Sequence, residues 1–133
     1  MKKKILICDD DKALLEILTF LLRKEDVEIL TLPDGSGLLS TAKKHSPALI
    51  LLDLMMPEKD GIGALRALSG DPASAAIPVI VLSSTVKPEL LSQAKVLGAR
   101  EFIEKPFNPA GLLEMVRKYT GRETPESGRT GDL

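Results

Sequence analysis

The sequence predicts one α/β domain, a five-stranded parallel sheet doubly wound with five helices. Short apolar runs of the kind buried on both faces alternate with segments of helical period, and that alternation implies a parallel sheet with helices on each side. A length of 133 residues suits one core and one site rather than two domains.

Ile5 to Cys8 is a continuous apolar run closed by Asp9, Asp10 and Asp11, which predicts a central strand. Behind Asp11, residues Leu14, Ile17, Leu18, Leu21 and Leu22 recur at helical spacing and are expected to line the buried face of a first helix. Val27 to Leu32 mixes Glu28 and Thr31 into its apolar pattern, as an edge strand does. A second helix is expected to open near Asp34-Gly35 and run towards His45. Ala48 to Leu52 predicts a central third strand delivering Asp53, and Ile62 to Leu68 a third helix. Val79 to Leu82 is the last central run, followed by a helix whose Leu90, Leu91, Ala94 and Leu97 share a face before the stop at Gly98. Arg100 to Glu104 reads as the second edge strand. Asn108-Pro109, a cap followed by proline in the first helical position, starts the fifth helix.

Right-handed crossovers with strands one, three and four central give the order 2-1-3-4-5. Chain order then reverses between strands one and three, and ligands of such sheets bind outside the carboxyl ends of the strands at that point. Those ends carry Asp9-Asp10-Asp11 and Asp53. The folded domain is expected over residues 1–120. From Thr120 onward no apolar period continues, so residues 121–133 are expected to be a flexible tail or the start of a linker. A stand-alone domain and a piece of a longer protein both fit.

A net charge of −1 offers no bulk attraction to nucleic acid or an anionic membrane, and any nucleic-acid role would sit in another chain or domain. The single Cys8 lies in an apolar run, which argues for a buried core thiol and fits a reducing cytoplasm. Met1-Lys2-Lys3-Lys4 is followed by only four apolar residues, too few for a signal peptide or a membrane span.

Asp9, Asp10 and Asp53 brought together would repel one another, and a hard cation with oxygen ligands, Mg²⁺ or Mn²⁺, is the natural remedy. The plainer reading of Asp10 or Asp11 is as the cap of the first helix. A bare carboxylate cluster leaves metal storage, phosphate hydrolysis and phosphoryl transfer open. Strand four, however, ends in Ser83-Ser84-Thr85 and strand five leads to Lys105-Pro106. A hydroxyl and an ammonium converging on Asp53 and a cation would cradle phosphoryl oxygens.

Cys8-Asp9-Asp10, Leu52-Asp53-Leu54-Met55-Met56-Pro57 with Asp60-Gly61, Val81-Leu82-Ser83-Ser84, and Phe102-Ile103-Glu104-Lys105-Pro106-Phe107 stand in the right order and spacing for one family. From about Lys3 to Tyr119 the chain resembles the response-regulator receiver domain of two-component phosphorelay signalling, which has a flavodoxin-like fold. The resemblance implies that Asp53 is the phosphoacceptor. It implies that Asp10 and Asp53 hold the cation directly, Asp9 partly through water, and the Met55 backbone carbonyl as a further ligand. Lys105 would neutralise a phosphoryl oxygen, with a cis bond to Pro106. Ser83 and Phe102 would form the switch.

By the same resemblance the domain is not an enzyme acting on an outside substrate but a signalling phosphoacceptor that catalyses its own phosphorylation and slow dephosphorylation. Its donor would be a sensor histidine kinase or a phosphotransfer protein. Its output would be a changed surface of helix four, strand five and helix five, read by a downstream protein or effector domain or by a second copy of the chain.

Other residues have plainer readings. His45 is expected on a solvated face, the Met55-Met56 pair in packing and backbone ligation, and Tyr119 as a helix-end anchor. A phosphatase of the haloacid dehalogenase type would need an Asp where this chain has Met55. A flavodoxin-like nucleotide or flavin module would need a Gly-rich or Ser/Thr-rich loop after strand one, where three aspartates would repel phosphate. The remaining alternative is a receiver-like scaffold acting by protein contacts without phosphorylation.

Overall fold

In the computed structural model residues 2–55, 61–84 and 87–121 are described. Met56, Pro57, Asp60, Thr85 and, of the tail expected over 121–133, residues 122–133 lie outside the described residues.

Five strands, β1 (Lys3–Cys8), β2 (Val27–Leu32), β3 (Leu49–Asp53), β4 (Val79–Ser83) and β5 (Ala99–Glu104), form one sheet in the order β2-β1-β3-β4-β5. Every pairing is parallel. Between and after them run α1 (Lys12–Leu22), α2 (Leu38–His45), α3 (Gly61–Ser69), α4 (Pro88–Val96) and α5 (Pro109–Thr120). The doubly wound parallel sheet read from the apolar runs is the one present, and it is the flavodoxin-like fold that the resemblance implies.

The alternation of side chains along a strand divides the core into two layers. Leu6 and Cys8, Ile50 and Leu52, and Val79 and Val81 face α2, α3 and α4, where Leu38, Ala42, Ile62, Leu65, Leu68 and Ala94 meet them. Ile5 and Ile7, Leu49 and Leu51, and Ile80 and Leu82 face α1 and α5, packing on Leu18, Leu22, Leu112 and Val116. All five residues of β3 and of β4 are buried. That is why those runs read as continuously apolar, whereas edge strand β5 alternates and edge strand β2 has exposed Glu28 and Thr31 among more buried neighbours.

Three local readings are corrected. Ile17 does not join the buried face of α1; it is 51% exposed, as is Phe20 at 60%, while Leu15 packs against the core instead. At 3.6 residues per turn Leu15, Leu18 and Leu22 fall on one line, and Ile17 lies about 100° round from Leu18. The Arg23 guanidinium covers Phe20 at 4.2 Å from the ring centroid. The second helix opens later than expected, because Asp34 caps a 3₁₀ turn over Gly35–Gly37 before α2 begins. His45 is half-buried rather than solvated: the ammonium of Lys4, on the α2 side of β1, stands 3.3 Å from its Nδ1.

The last helix is tied to the sheet by polar anchors. Tyr119 donates its hydroxyl to Glu101 of β5 at 2.6 Å, as suits a helix-end anchor. Arg117 grips Glu25 with two bonds, Nε to Oε1 at 2.8 Å and a terminal nitrogen to Oε2 at 2.9 Å. At the other side of the sheet Gly98, at φ +104°, ends α4 in a conformation that L side chains rarely adopt. No helix among the described residues is long and apolar enough to cross a membrane.

Glu25 is nearly buried, whereas the Arg117 side chain is about one-third exposed. Removing the guanidinium is therefore worse than removing the carboxylate charge. Arg117→Ala is expected to lower stability by about 2 kcal/mol, and Glu25→Gln by less, in equilibrium urea unfolding. Losses of equal size would contradict that asymmetry.

Cys8 is fully buried, with its thiol donating to the Asp34 carbonyl at 3.1 Å. Burial first, and then the charges of Asp34, Asp9, Asp53 and Asp10, push its pKa up to about 12. A maleimide is expected to leave the native protein unmodified at pH 8 and to label it stoichiometrically in denaturant. Mass spectrometry reads both.

Candidate functional site

β1 delivers Asp9 and Asp10, and β3 ends on Asp53. Asp9 continues the line of the sheet, its amide donating to the Leu32 carbonyl at 3.1 Å, and it is fully buried. Asp11 turns away from the cluster and caps α1, accepting from the Leu14 amide at 3.2 Å. The plainer reading thus holds for Asp11. Asp10 remains exposed, and the side-chain oxygens of Asp9, Asp10 and Asp53 lie within 4.8 Å of one another.

Lys105 closes the group from β5. Its ammonium stands 2.7 Å from Asp9 Oδ2 and 3.2 Å from Asp53 Oδ2. The backbone holds it there, since the Lys105 amide donates to the Ser83 carbonyl at 3.0 Å and so extends the β4–β5 ladder by one residue. The Lys105–Pro106 peptide bond is cis. Behind it Asn108 caps α5, accepting from the amides of Ala110 and Gly111.

The two oxygens of Asp53 are held separately. Oδ1 accepts from the Met55 amide at 3.0 Å, and Oδ2 faces Lys105. Burial raises the Asp53 pKa, and the charge of Asp9 adds to that; the Met55 amide and Lys105 offset it only in part. For Lys105 burial favours the neutral amine, but the bond to Asp9 and the charges of Asp53 and Asp9 outweigh it and raise the pKa, so the ammonium persists. Among the described residues, three carboxylates against one ammonium leave a formal surplus of two negative charges, which a single divalent cation would match. The donors are all oxygens, and the Cys8 thiol is turned to the Asp34 carbonyl. That set fits Mg²⁺ or Mn²⁺ rather than a thiophilic metal.

Ser83 is the buried last residue of β4, one position beyond Leu82, which pairs with Asp53 in the sheet. Met55 has an exposed side chain. Phe102 lies outside the cluster: it pairs in register with Val81, two positions behind Ser83, and is 36% exposed. Two features have no counterpart in the motif reading. One is the Met55 N–H on Asp53 Oδ1, where the motif reading gives that residue's backbone only a carbonyl role; an Asp two positions before an amide is the Asx-turn signal that points to it. The other is Lys105 lying closer to Asp9 than to Asp53, a contact across 96 residues that no local pattern announces.

Comparisons with known proteins agree with this geometry. The family model described as "Response regulator receiver domain" matches residues 5–117. The DNA-binding response regulator MtrA of Mycobacterium tuberculosis is 34% identical over 126 residues, covering 95% of this chain and 54% of that protein. Response regulator PleD of Caulobacter vibrioides is 35% identical over 120 residues, 90% of this chain and 26% of that protein. The chain thus spans about half the length of MtrA and a quarter of PleD. Among solved structures, chemotaxis protein CheY4 of Vibrio cholerae superposes with TM-score 0.82 at 27% identity, covering 90% of this chain and 99% of that one. The BeF3-activated N-terminal receiver domain of Klebsiella pneumoniae RstA gives 0.80 at 29%, covering 89% and 98%. With the family model spanning the sheet and every strand end that builds the acidic cluster, this chain belongs to the response regulator receiver domains of two-component signalling.

Proposed function

We propose that this receiver takes a phosphoryl group onto Asp53 from a phosphohistidine on a sensor histidine kinase or phosphotransfer protein, and that a divalent cation, Mg²⁺ or Mn²⁺, is required. The observation that carries this reading is the joint hold of Lys105 on Asp9 and Asp53 beside a cluster with two surplus negative charges. Asp9, Asp10, Asp53 and the Met55 backbone carbonyl are the cation ligands of this reading. When bound, the cation neutralises charge on the transferring oxygens.

Asp53 needs no general base, because a carboxylate already has the lone pair it uses. A bond forms from its oxygen to phosphorus as the P–N bond of the donor breaks, and the electron pair of that bond returns to the imidazole. The Met55 amide and Lys105 fix the plane of the carboxylate before attack, so the residues contribute mainly orientation and preorganised charge. Hydrolysis of the acyl phosphate returns Asp53 slowly, since the exposed Met55 side chain has no polar atom able to orient the attacking water well. The domain acts on itself rather than on an outside substrate.

The product adds a charge of about −1.5 to −2 at the end of β3. Ser83 moves towards the phosphoryl oxygens, the β4 end shifts with it, and Phe102 leaves its exposed position for the space behind. Burying such a ring is worth roughly 1.5 to 3 kcal/mol, and a switch from 1:99 to 99:1 needs about 5.5 kcal/mol, so phosphoryl contacts supply most of the bias. The surface of α4, β5 and α5 then presents the signal in the cytoplasm to a downstream protein, an effector domain or a second copy. DNA binding in the MtrA relatives is assigned to no residue of this chain.

With Mg²⁺ and acetyl phosphate, the protein is expected to gain one phosphoryl mass, and Asp53→Asn none. Labelling of the variant at the native rate would remove the assignment and leave the scaffold that works by contacts alone.

Lys105→Ala takes one positive charge from the cluster, so Mg²⁺ affinity by calorimetry is expected to hold or rise. The phosphorylation-dependent change in partner binding is expected to fall away. Parallel loss of both would make Lys105 a structural residue.

A further inference from the structure

Gly61 is the first residue of α3, and a side chain there has nowhere to go. A Cβ at this position would lie 2.4 Å from the Asp53 carbonyl oxygen and 2.5 Å from the Leu54 Cα, far inside the separations that real Cβ atoms keep. Both obstacles are backbone, so no rotamer change relieves the clash. Glycine is needed here for space. What requires it is the close approach of a helix start to one particular peptide plane, the one that follows Asp53.

That plane is held from its other sides. Asp53 pairs with Leu82 across β4, the Leu54 side chain is buried in the core with Ile62 and Leu65, and the Gly61 amide donates to the Leu54 carbonyl at 3.0 Å. Immediately after it comes the Met55 amide that fixes Asp53 Oδ1. We propose that Gly61 is a positioning residue for phosphoryl transfer: by admitting the α3 start against the Asp53–Leu54 peptide, it sets the orientation in which Met55 and Lys105 hold the Asp53 carboxylate. This rests on the reading of Asp53 as the phosphoacceptor. A Cβ at position 61 must either turn that peptide or push α3 off its bond to Leu54, and both routes disturb the Met55 hold on Oδ1.

Helix preference alone predicts the opposite. Alanine is the better helix former, so a glycine serving only to begin α3 would be improved by Gly61→Ala. Gly111 in the first turn of α5 is the control, because a Cβ there meets nothing nearer than Asn108 Cβ at 3.9 Å.

The test uses the full chain as wild type, Gly61→Ala and Gly111→Ala, with Mg²⁺ and acetyl phosphate as probes. Folding is followed by circular dichroism, the Met55 amide by NMR, and mass gain over time. Gly111→Ala is expected to match wild type. Gly61→Ala is expected to fold, to show a displaced Met55 amide without any ligand, and to label on the order of a hundredfold more slowly, as a misplacement near 1 Å at a reacting group does. A folded Gly61→Ala with native Met55 resonance and native labelling would overturn the proposal.

Should Gly61→Ala fail to fold, hydrogen exchange in the wild type decides. A Gly61 amide as protected as those of β3 supports the clamp, and one exchanging like an open helix start overturns it. Absence of labelling in the wild type would remove the phosphoacceptor reading on which the proposal rests. The Met55 resonance would still report whether Gly61 sets that backbone.

Discussion

Like charges gathered in a dry place need a counterweight, and the carboxyl edge of this sheet is organised round that need. Asp9 and Asp53 are buried beside the exposed Asp10, and among the described residues the cation touching the two buried ones is the ammonium of Lys105. In a medium of low effective dielectric such a pairing is worth far more than on the surface, and an unpaired charge costs correspondingly more. The ladder bond from the Lys105 amide to Ser83 and the cap of α5 at Asn108 keep that ammonium aimed at the carboxylates.

The same arrangement decides which parts of the molecule have room to respond. β1 and β3 are paired on both sides and covered on both faces, so the strands carrying Asp9 and Asp53 form a fixed floor. β5 has one free edge, and its outward residues, Phe102 among them, are exposed. β4 is likewise paired on both sides and buried throughout, and it ends on Ser83, one position beyond the Leu82 that pairs with Asp53. On this side of Asp53, exposed side chains begin only at β5.

Much of this was legible beforehand because burial on two faces leaves a mark in the chain. The runs Ile5–Cys8, Ala48–Leu52 and Val79–Leu82 each fall within a residue or two of a central strand, and Val27–Leu32 coincides with β2. Where a helix has one buried face the mark is weaker: Ile17 reads as core by spacing, yet the turn of α1 gives that place to Leu15. His45 was misread for a different reason, since Lys4 reaches it from 41 residues away.

The order of strands, the aspartates at their carboxyl ends and the hydroxyl and lysine that join them were determined by the sequence by itself. Apolar periodicity and the rules of parallel crossover are local or topological, and both can be read along a chain. Only the tertiary structure decided that Asp11 caps while Asp10 stays in the cluster, that Lys105 lies nearer Asp9 than Asp53, and that Gly61 is pressed against the peptide after Asp53. Each of these is settled by distances of a fraction of an ångström, whether between neighbours such as Asp11 and Leu14 or between segments as far apart as Asp9 and Lys105. At that scale steric repulsion and Coulomb energy change steeply, whereas residue type and spacing do not change at all.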